Sequence, residues 1–131
     1  MTIYSNSANG IVFLRPHQAV DYLAAQEISE RLAVAVNDGA RSVILDFSLA
    51  RLASAAILPV IVDAASKLES RRGRIAIVGA SPQFHSLLAL SGVSRIAMEF
   101  QTAEEAQARL RQNSNNEAPE FVDEDDDDFE D

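Results

Sequence analysis

The sequence contains no cysteine, which excludes a disulfide framework, a thiolate nucleophile and the usual cysteine-containing zinc sites. That absence fits a reducing cytoplasm. Histidine is scarce as well: His17 and His85 are the whole supply, too few for a histidine-rich metal site. No G-x-x-x-x-G-K-[ST] and no G-x-G-x-x-G occurs, so the glycine-rich loops that cradle phosphates or dinucleotides are missing too. No apolar run approaches the roughly 18 residues of a membrane span, and Met1-Thr2-Ile3-Tyr4-Ser5-Asn6 lacks a basic region followed by an apolar one. The expectation is a soluble, unprocessed, cytoplasmic protein with no cofactor and no metal.

Lysine is almost absent: ten of the eleven basic residues are arginine, with Lys67 the exception. The net charge of −9 is unevenly placed. Residues 113–131 hold ten acids and no base, which leaves the preceding 112 residues at +1. Acidity therefore belongs to the tail and not to the body. A near-neutral body argues against nucleic-acid binding, which needs a basic face. At 131 residues and 47% hydrophobic the chain suffices for one domain with a real core. Residues 1–111 are read as that domain and 112–131 as a disordered acidic tail, because the tail's polar residues cannot bury enough apolar surface to offset ordering entropy.

Ile3-Tyr4 and Ile11-Val12-Phe13-Leu14 flank the turn-prone Asn6-Ser7-Ala8-Asn9-Gly10 and predict a hairpin. Ala25, Ile28, Leu32 and Val36 recur at helical spacing behind a capping Asp21, and Asn37-Asp38-Gly39 ends the helix. Val43-Ile44-Leu45 and Ile75-Ala76-Ile77-Val78 are continuous apolar runs, the pattern of strands covered on both faces. Between them Ile57, Ile61, Ala65 and Leu68 predict a second helix stopped near Gly73. Pro59 belongs in a first turn, so this helix should begin near Ala56 or later. Ser81-Pro82 opens a third helix, with Phe84, Leu87 and Leu88 inward and Gly92 as terminator. A strand over Ile96–Phe100 follows, and Thr102 with Glu105 forms a capping box for a last helix through Leu110. The order β-β-α-β-α-β-α-β-α predicts an α/β fold with a mainly parallel sheet and helical crossovers.

Candidates for chemistry are few. His85 and His17 read as surface and loop residues, and neither is placed by sequence to serve as a base for Ser48 or Ser54. An enzyme is not expected. Asp46, at the end of a buried strand, either binds a cation or caps the next turn. Arg71, Arg72 and Arg74 either meet an acidic partner or sit at a solvated helix end, where cations favour the dipole. The tail pieces Glu120-Phe121-Val122-Asp123 and Asp128-Phe129-Glu130-Asp131 set apolar residues inside acid, as docking peptides do. One expectation is that the tail folds back on the arginine-containing surface and competes with a partner.

Four stretches in order carry a resemblance. They are Val20-Asp21-Tyr22-Leu23-Ala24-Ala25-Gln26-Glu27-Ile28, Val43-Ile44-Leu45-Asp46-Phe47-Ser48, the run from Ser81-Pro82-Gln83-Phe84 to Ser91-Gly92-Val93, and Thr102 to Ala106. Together they resemble the opening of the first helix, the "VVLDLS" strand, the third helix with its "LTGL" exit and the "T-E-E-A" ending of STAS domains, the bacterial anti-sigma factor antagonists. The resemblance spans about Gly10 to Leu110. It implies a four- to five-stranded mixed, mainly parallel sheet, with an N-terminal antiparallel strand and helices mainly on one side. It also implies partner switching in transcription regulation. In the family, a serine within "D-S-S-G" at the start of the second helix is phosphorylated by a kinase that is often the anti-sigma factor itself. The unmodified domain binds that kinase, and phosphate, with nearly two charges, breaks the complex.

Aligning Asp46 with the strand aspartate and Arg72-Gly73 with the family's "GG" puts Ser54 at the motif's aspartate, Ala55 at the phosphoserine, Ala56 at the second serine and Ile57 at the glycine. Alanine has no hydroxyl, so Ala55 cannot accept phosphate. A register with Ala53-Ser54 on aspartate-serine would restore an acceptor at Ser54, at the cost of a one-residue gap. The resemblance thus implies a non-catalytic module that binds a serine kinase or anti-sigma-like protein through Asp21, Ala53, Ser54, Ala55, Ala56 and Ile57, without the regular switch. A monomer or weak dimer is expected. The rival reading is a structural STAS-like subunit of a larger assembly such as a lipid transporter.

Overall fold

In the computed structural model, residues 3–117 are described. Strands β1 (Ile3–Ala8) and β2 (Ile11–Pro16) pair antiparallel with Ala8 opposite Ile11. Only Asn9 and Gly10 are left for the turn, with φ of 58° and 77°. Two successive left-handed residues make the hairpin turn whose twist matches that of the strands, and Asn-Gly is its preferred sequence. Asn6, Ser7 and Ala8, expected in the turn, are strand residues instead. A two-residue turn keeps the ladder in register and carries weak strand formers into it.

Strands β2, β4 (Ser42–Asp46), β6 (Ile75–Val78) and β7 (Ala97–Phe100) run parallel, and the sheet order is β1-β2-β4-β6-β7. Their alternate residues feed two cores, which is why the sequence shows unbroken apolar runs. Leu14, Val43, Leu45, Ile75 and Ile77 face one cluster together with Ile28, Ile61 and Leu88 of the first three helices. Phe13, Ile44, Ala76 and Val78 face the other, against Ala106 and Leu110 of the last. Both faces are dry. The five-stranded mixed sheet and the three helices gathered on one face agree with the expected architecture.

Helix α1 (Tyr22–Asn37) is capped by Asp21, whose Oδ1 accepts from Ala24 N at 2.9 Å. Helix α2 (Ile57–Glu69) begins one residue after Ala56, which places Pro59 in its first turn, where the missing N–H costs nothing. Helix α3 (Pro82–Ser91) is capped by Ser81 and ended by a left-handed Gly92 (φ 87°). Phe47 and Phe84 meet edge to face, centroids 4.9 Å apart, and tie α3 to the end of β4. Helix α4 (Ala103–Glu117) opens with the expected capping box: Glu105 N donates to Thr102 Oγ1 at 3.2 Å and Thr102 N to Glu105 Oε1 at 3.3 Å. This helix runs past Leu110, so residues 112–117 are helical and not part of a structureless tail. No glycine or proline interrupts 111–117, and the started helix propagates at one hydrogen bond per residue. The remainder of the acidic tail, 118–131, lies outside the described residues.

Arg71 is exposed, yet it clamps the end of α1 as well as facing solvent. Its guanidinium donates to the carbonyls of Val36 (2.7 Å), in the last turn of α1, and Ala40 (3.0 Å), just beyond it. Val36 O also accepts from Gly39 N at 3.1 Å, so the guanidinium ties the end of α1 to the segment leading into β4. Arg71→Ala is expected to lower stability by about 1 kcal/mol, the low end for charge-assisted bonds because the side chain is solvated. Arg71→Lys should recover part of the loss in urea denaturation; an alanine variant as stable as the parent would remove the clamp.

Two strands escaped the sequence reading. Gln18–Val20 (β3) and Ala50–Ala53 (β5) form a separate parallel pair, with Ala19 opposite Leu52 and Val20 opposite Ala53. Three or four residues show no measurable period, and parallel partners lie about thirty residues apart in the chain, so no local turn signal announces them.

Candidate functional site

Helices α1, α2, α3 and α4 all begin at the carboxyl ends of strands, the end where α/β sheets carry their sites. The β3–β5 ladder assembles the candidate residues there. Val20 is the last residue of β3, and its carbonyl accepts from Ser54 N at 2.9 Å. Asp21 and Ser54, 33 positions apart in sequence, are thereby held side by side. Ser54 then starts the turn into α2: its Oγ accepts from Ala56 N at 3.1 Å and its carbonyl from Ile57 N at 3.2 Å. The serine hydroxyl thus closes a local turn onto Ala56, while α2 itself starts without a side-chain cap.

Of the six residues expected to meet a partner, Asp21, Ser54 and Ala55 are exposed, and Ala53 and Ala56 are half-buried against the core. Ile57 is corrected: it is 0% exposed and packs into the main cluster, because the first inward position of an amphipathic helix belongs to the core. Its role is to seat α2.

The structure adds residues that the sequence reading passed over. Leu23 and Leu52 are each 72% exposed and line one shallow depression with Gln18, Ala19, Asp21 and Glu27. Leu23 was legible as a leucine off the Ala25-Ile28-Leu32-Val36 stripe. Leu52 was not, because its outward direction follows from the unseen β5. Tyr22 and Leu49 are also exposed at 64% and 51%. Large apolar groups left in water beside an exposed carboxylate and a bare alanine turn make a surface suited to docking a protein.

Asp46 stands behind this surface and not on it. At 2% exposure, its Oδ2 accepts from Arg15 Nε at 3.0 Å and its Oδ1 from Ser48 N at 2.8 Å. Both oxygens are engaged, so the carboxylate shapes the turn after β4, the capping alternative of the two foreseen. Arg15, which the sequence reading did not pair, lies beside Asp46 through the parallel register of Leu14 with Leu45 and stacks its guanidinium 4.9 Å from the Phe13 ring centroid. Gly79, with φ of 71°, closes against Ser48: a Cβ there would lie 2.9 Å from the Ser48 backbone.

His85 is engaged away from this surface. His85 Nδ1 meets Glu99 Oε1 at 2.8 Å on an exposed face, and Ser94 Oγ donates to Glu99 Oε2 at 3.2 Å. Among the described residues, no three His, Cys, Asp or Glu side chains are grouped to hold a metal, and no helix is long and apolar enough to cross a membrane.

Comparison with known proteins agrees with this fold. A Thermotoga maritima protein assigned as an anti-sigma factor antagonist superposes with a TM-score of 0.76 at 22% identity, covering 83% of this chain and 94% of its own. The anti-sigma factor antagonist SpoIIAA in its unphosphorylated form gives 0.75 at 22% identity, covering 85% and 97%. Phosphorylated SpoIIAA from Bacillus gives 0.69 at 22% identity, covering 84% and 100%. Among curated proteins no relative matches. At these identities the structures establish the fold. The model of the STAS domain matches residues 3–107, and the chain belongs to the STAS domain family.

Proposed function

We propose that this protein is a non-catalytic regulatory module that docks a serine kinase or anti-sigma-like protein in partner switching, and that the docking is blind to phosphorylation at the family's usual position. The observation that carries the reading is the β3–β5 ladder, which joins Asp21 to the turn led by the exposed Ser54 and Ala55, beside Leu23 and Leu52. Likeness to anti-sigma factor antagonists supports a protein partner of this class. In the ungapped register Ala55 stands at the phosphoserine position, so the module binds constitutively or is controlled elsewhere. Leu23 and Leu52 supply the apolar centre, and Asp21 gives the rim an acidic group for basic groups on the partner, Glu27 beside it being paired with Arg31 at 3.5 Å.

Ala55→Asp is the informative variant. Ala55 sits in the turn that opens α2, where a carboxylate favours the helix dipole, so the fold should be as stable as the parent or slightly more. Binding should fall by about 100-fold or more, the effect of an unpaired charge at the centre of an interface. A pull-down from the native cytoplasm, followed by calorimetric titration of the recovered kinase-like protein, measures this. Equal affinity for the parent and Ala55→Asp removes the turn from the interface. Incubation with the kinase and ATP, read by mass spectrometry, tests the register: phosphate on Ser54 would falsify the phosphorylation-blind reading.

A further inference from the structure

The far end of the sheet carries a second surface. Strands β4, β6 and β7 begin there in register, with Val43 level with Ile75 and Ile75 level with Ala97. An arginine precedes each strand: Arg41, Arg74 and, two residues ahead of Ala97, Arg95. Arg74 and Arg95 are exposed, and among the described residues their side chains take no ion-pair partner. They flank a groove between α2 and the turn before β7, floored by Ala65 and Ile75 and edged by Val62 and Ile96. Val62 and Ile96 are 43% and 40% exposed. Glu69 is the one acid on the lining, so the groove is cationic with an apolar floor.

The chain itself holds the complementary sequence. Residues 118–131, Ala-Pro-Glu-Phe-Val-Asp-Glu-Asp-Asp-Asp-Asp-Phe-Glu-Asp, contain nine acids, no base and two aromatics. Their starting point is set by α4. This helix leaves the carboxyl end of β7, lays Ala106 and Leu110 on the sheet and runs back for 15 residues, about 22 Å at 1.5 Å per residue. Its last residue, Glu117, therefore comes out at the arginine end. Fourteen further residues span up to about 46 Å when extended. That is enough to round the edge strand β7 and cross one layer of about 10 Å to the groove.

We infer that residues 118–131 dock on this groove, with Phe121 and Val122 against Val62 and Ile96 and the acid run across Arg74 and Arg95. Tethering supplies an effective concentration in the millimolar range, so weak contacts suffice. The occupied surface lies opposite Asp21 and Ser54, which replaces the expectation of direct competition: the tail shields the basic end and leaves the proposed partner surface open. This inference stands whether or not the partner reading does.

The cysteine-free chain makes the test clean. Glu124→Cys in the full-length protein accepts a single nitroxide label, and paramagnetic broadening of backbone amide signals reports which residues it visits. Expected is loss of signal at Ser66, Arg74, Ile75 and Ile96, with Asp21 and Ser54 unaffected. The loss should vanish in the Arg74→Glu/Arg95→Glu variant and in about 1 M salt, where charges beyond roughly 3 Å are screened. It should weaken with Phe121→Ser. Broadening at the groove that survives both the double variant and high salt marks a tethered but undocked segment and overturns the inference. So does broadening centred on Asp21 and Ser54, or none at all.

Discussion

Gly73→Ala is expected to lower the unfolding free energy by on the order of 3–4 kcal/mol, at the upper end for one added methyl group. A Cβ at this position would overlap the carbonyl oxygen of Arg41 and lie 2.7 Å from its carbonyl carbon. The obstacle is main chain and cannot rotate away. Arg41 N is held by Gly10 O at 2.8 Å, while Gly73 N donates to Leu68 O at 2.9 Å, so neither side is free to retreat. Arg72, and not Gly73, adopts the left-handed conformation that ends α2, with φ of 61°. Glycine is needed at 73 for space and not for its backbone angle. Gly39→Ala is the control: its φ is 96° but nothing lies within 4 Å of a Cβ, so only the left-handed cost of about 1–2 kcal/mol applies. Urea midpoints separate the two, and a Gly73 variant no weaker than the Gly39 variant would show that the β4 entry yields.

Asp46→Ala should cost about 2–3 kcal/mol. Breaking a fully buried pair typically costs about 3–5 kcal/mol, but Arg15 keeps 34% of its side chain in water and can resolvate in part. Alanine also strands the Ser48 N–H. Asp46→Asn retains an acceptor for it and is expected to lose about half as much. The consequence reaches the candidate surface, because the Asp46–Ser48 turn leads directly into β5 and so aims the β3–β5 ladder. Amide hydrogen exchange at Ser54, which measures that ladder's last bond, should quicken in Asp46→Ala more than exchange at Ile77 in the core strand β6. Equal acceleration at both positions would mean a general loss of stability without a role in aiming the surface.

Helices α1, α3 and α4 were legible because they wrote their own boundaries: Asp21, Ser81 and Thr102 cap locally, and Gly92 terminates locally; α2, without a side-chain cap, was legible from its apolar spacing and Pro59. The buried strands were legible as unbroken apolar runs because both sheet faces are covered. The resemblance drawn from four short stretches identified the family. It could not tell which of Ala53 to Ile57 face outward, because direction depends on where α2 starts relative to the core. Nor could it find Arg15 as the partner of Asp46, a pair made by strand register across 31 residues.

The order of residues alone determined that this chain has no thiol chemistry, that its net acidity lies beyond residue 112, and that position 55 has no hydroxyl to carry phosphate. These are properties of atoms present or absent, and no fold can alter them. The tertiary structure decided what those atoms face. It placed Ser54 against Val20 through a three-residue parallel ladder, buried Ile57, exposed Leu23 and Leu52 and committed Arg71 to α1. Each of these arises from contacts between segments far apart in the chain, whose formation depends on packing and register and leaves no local periodicity to read.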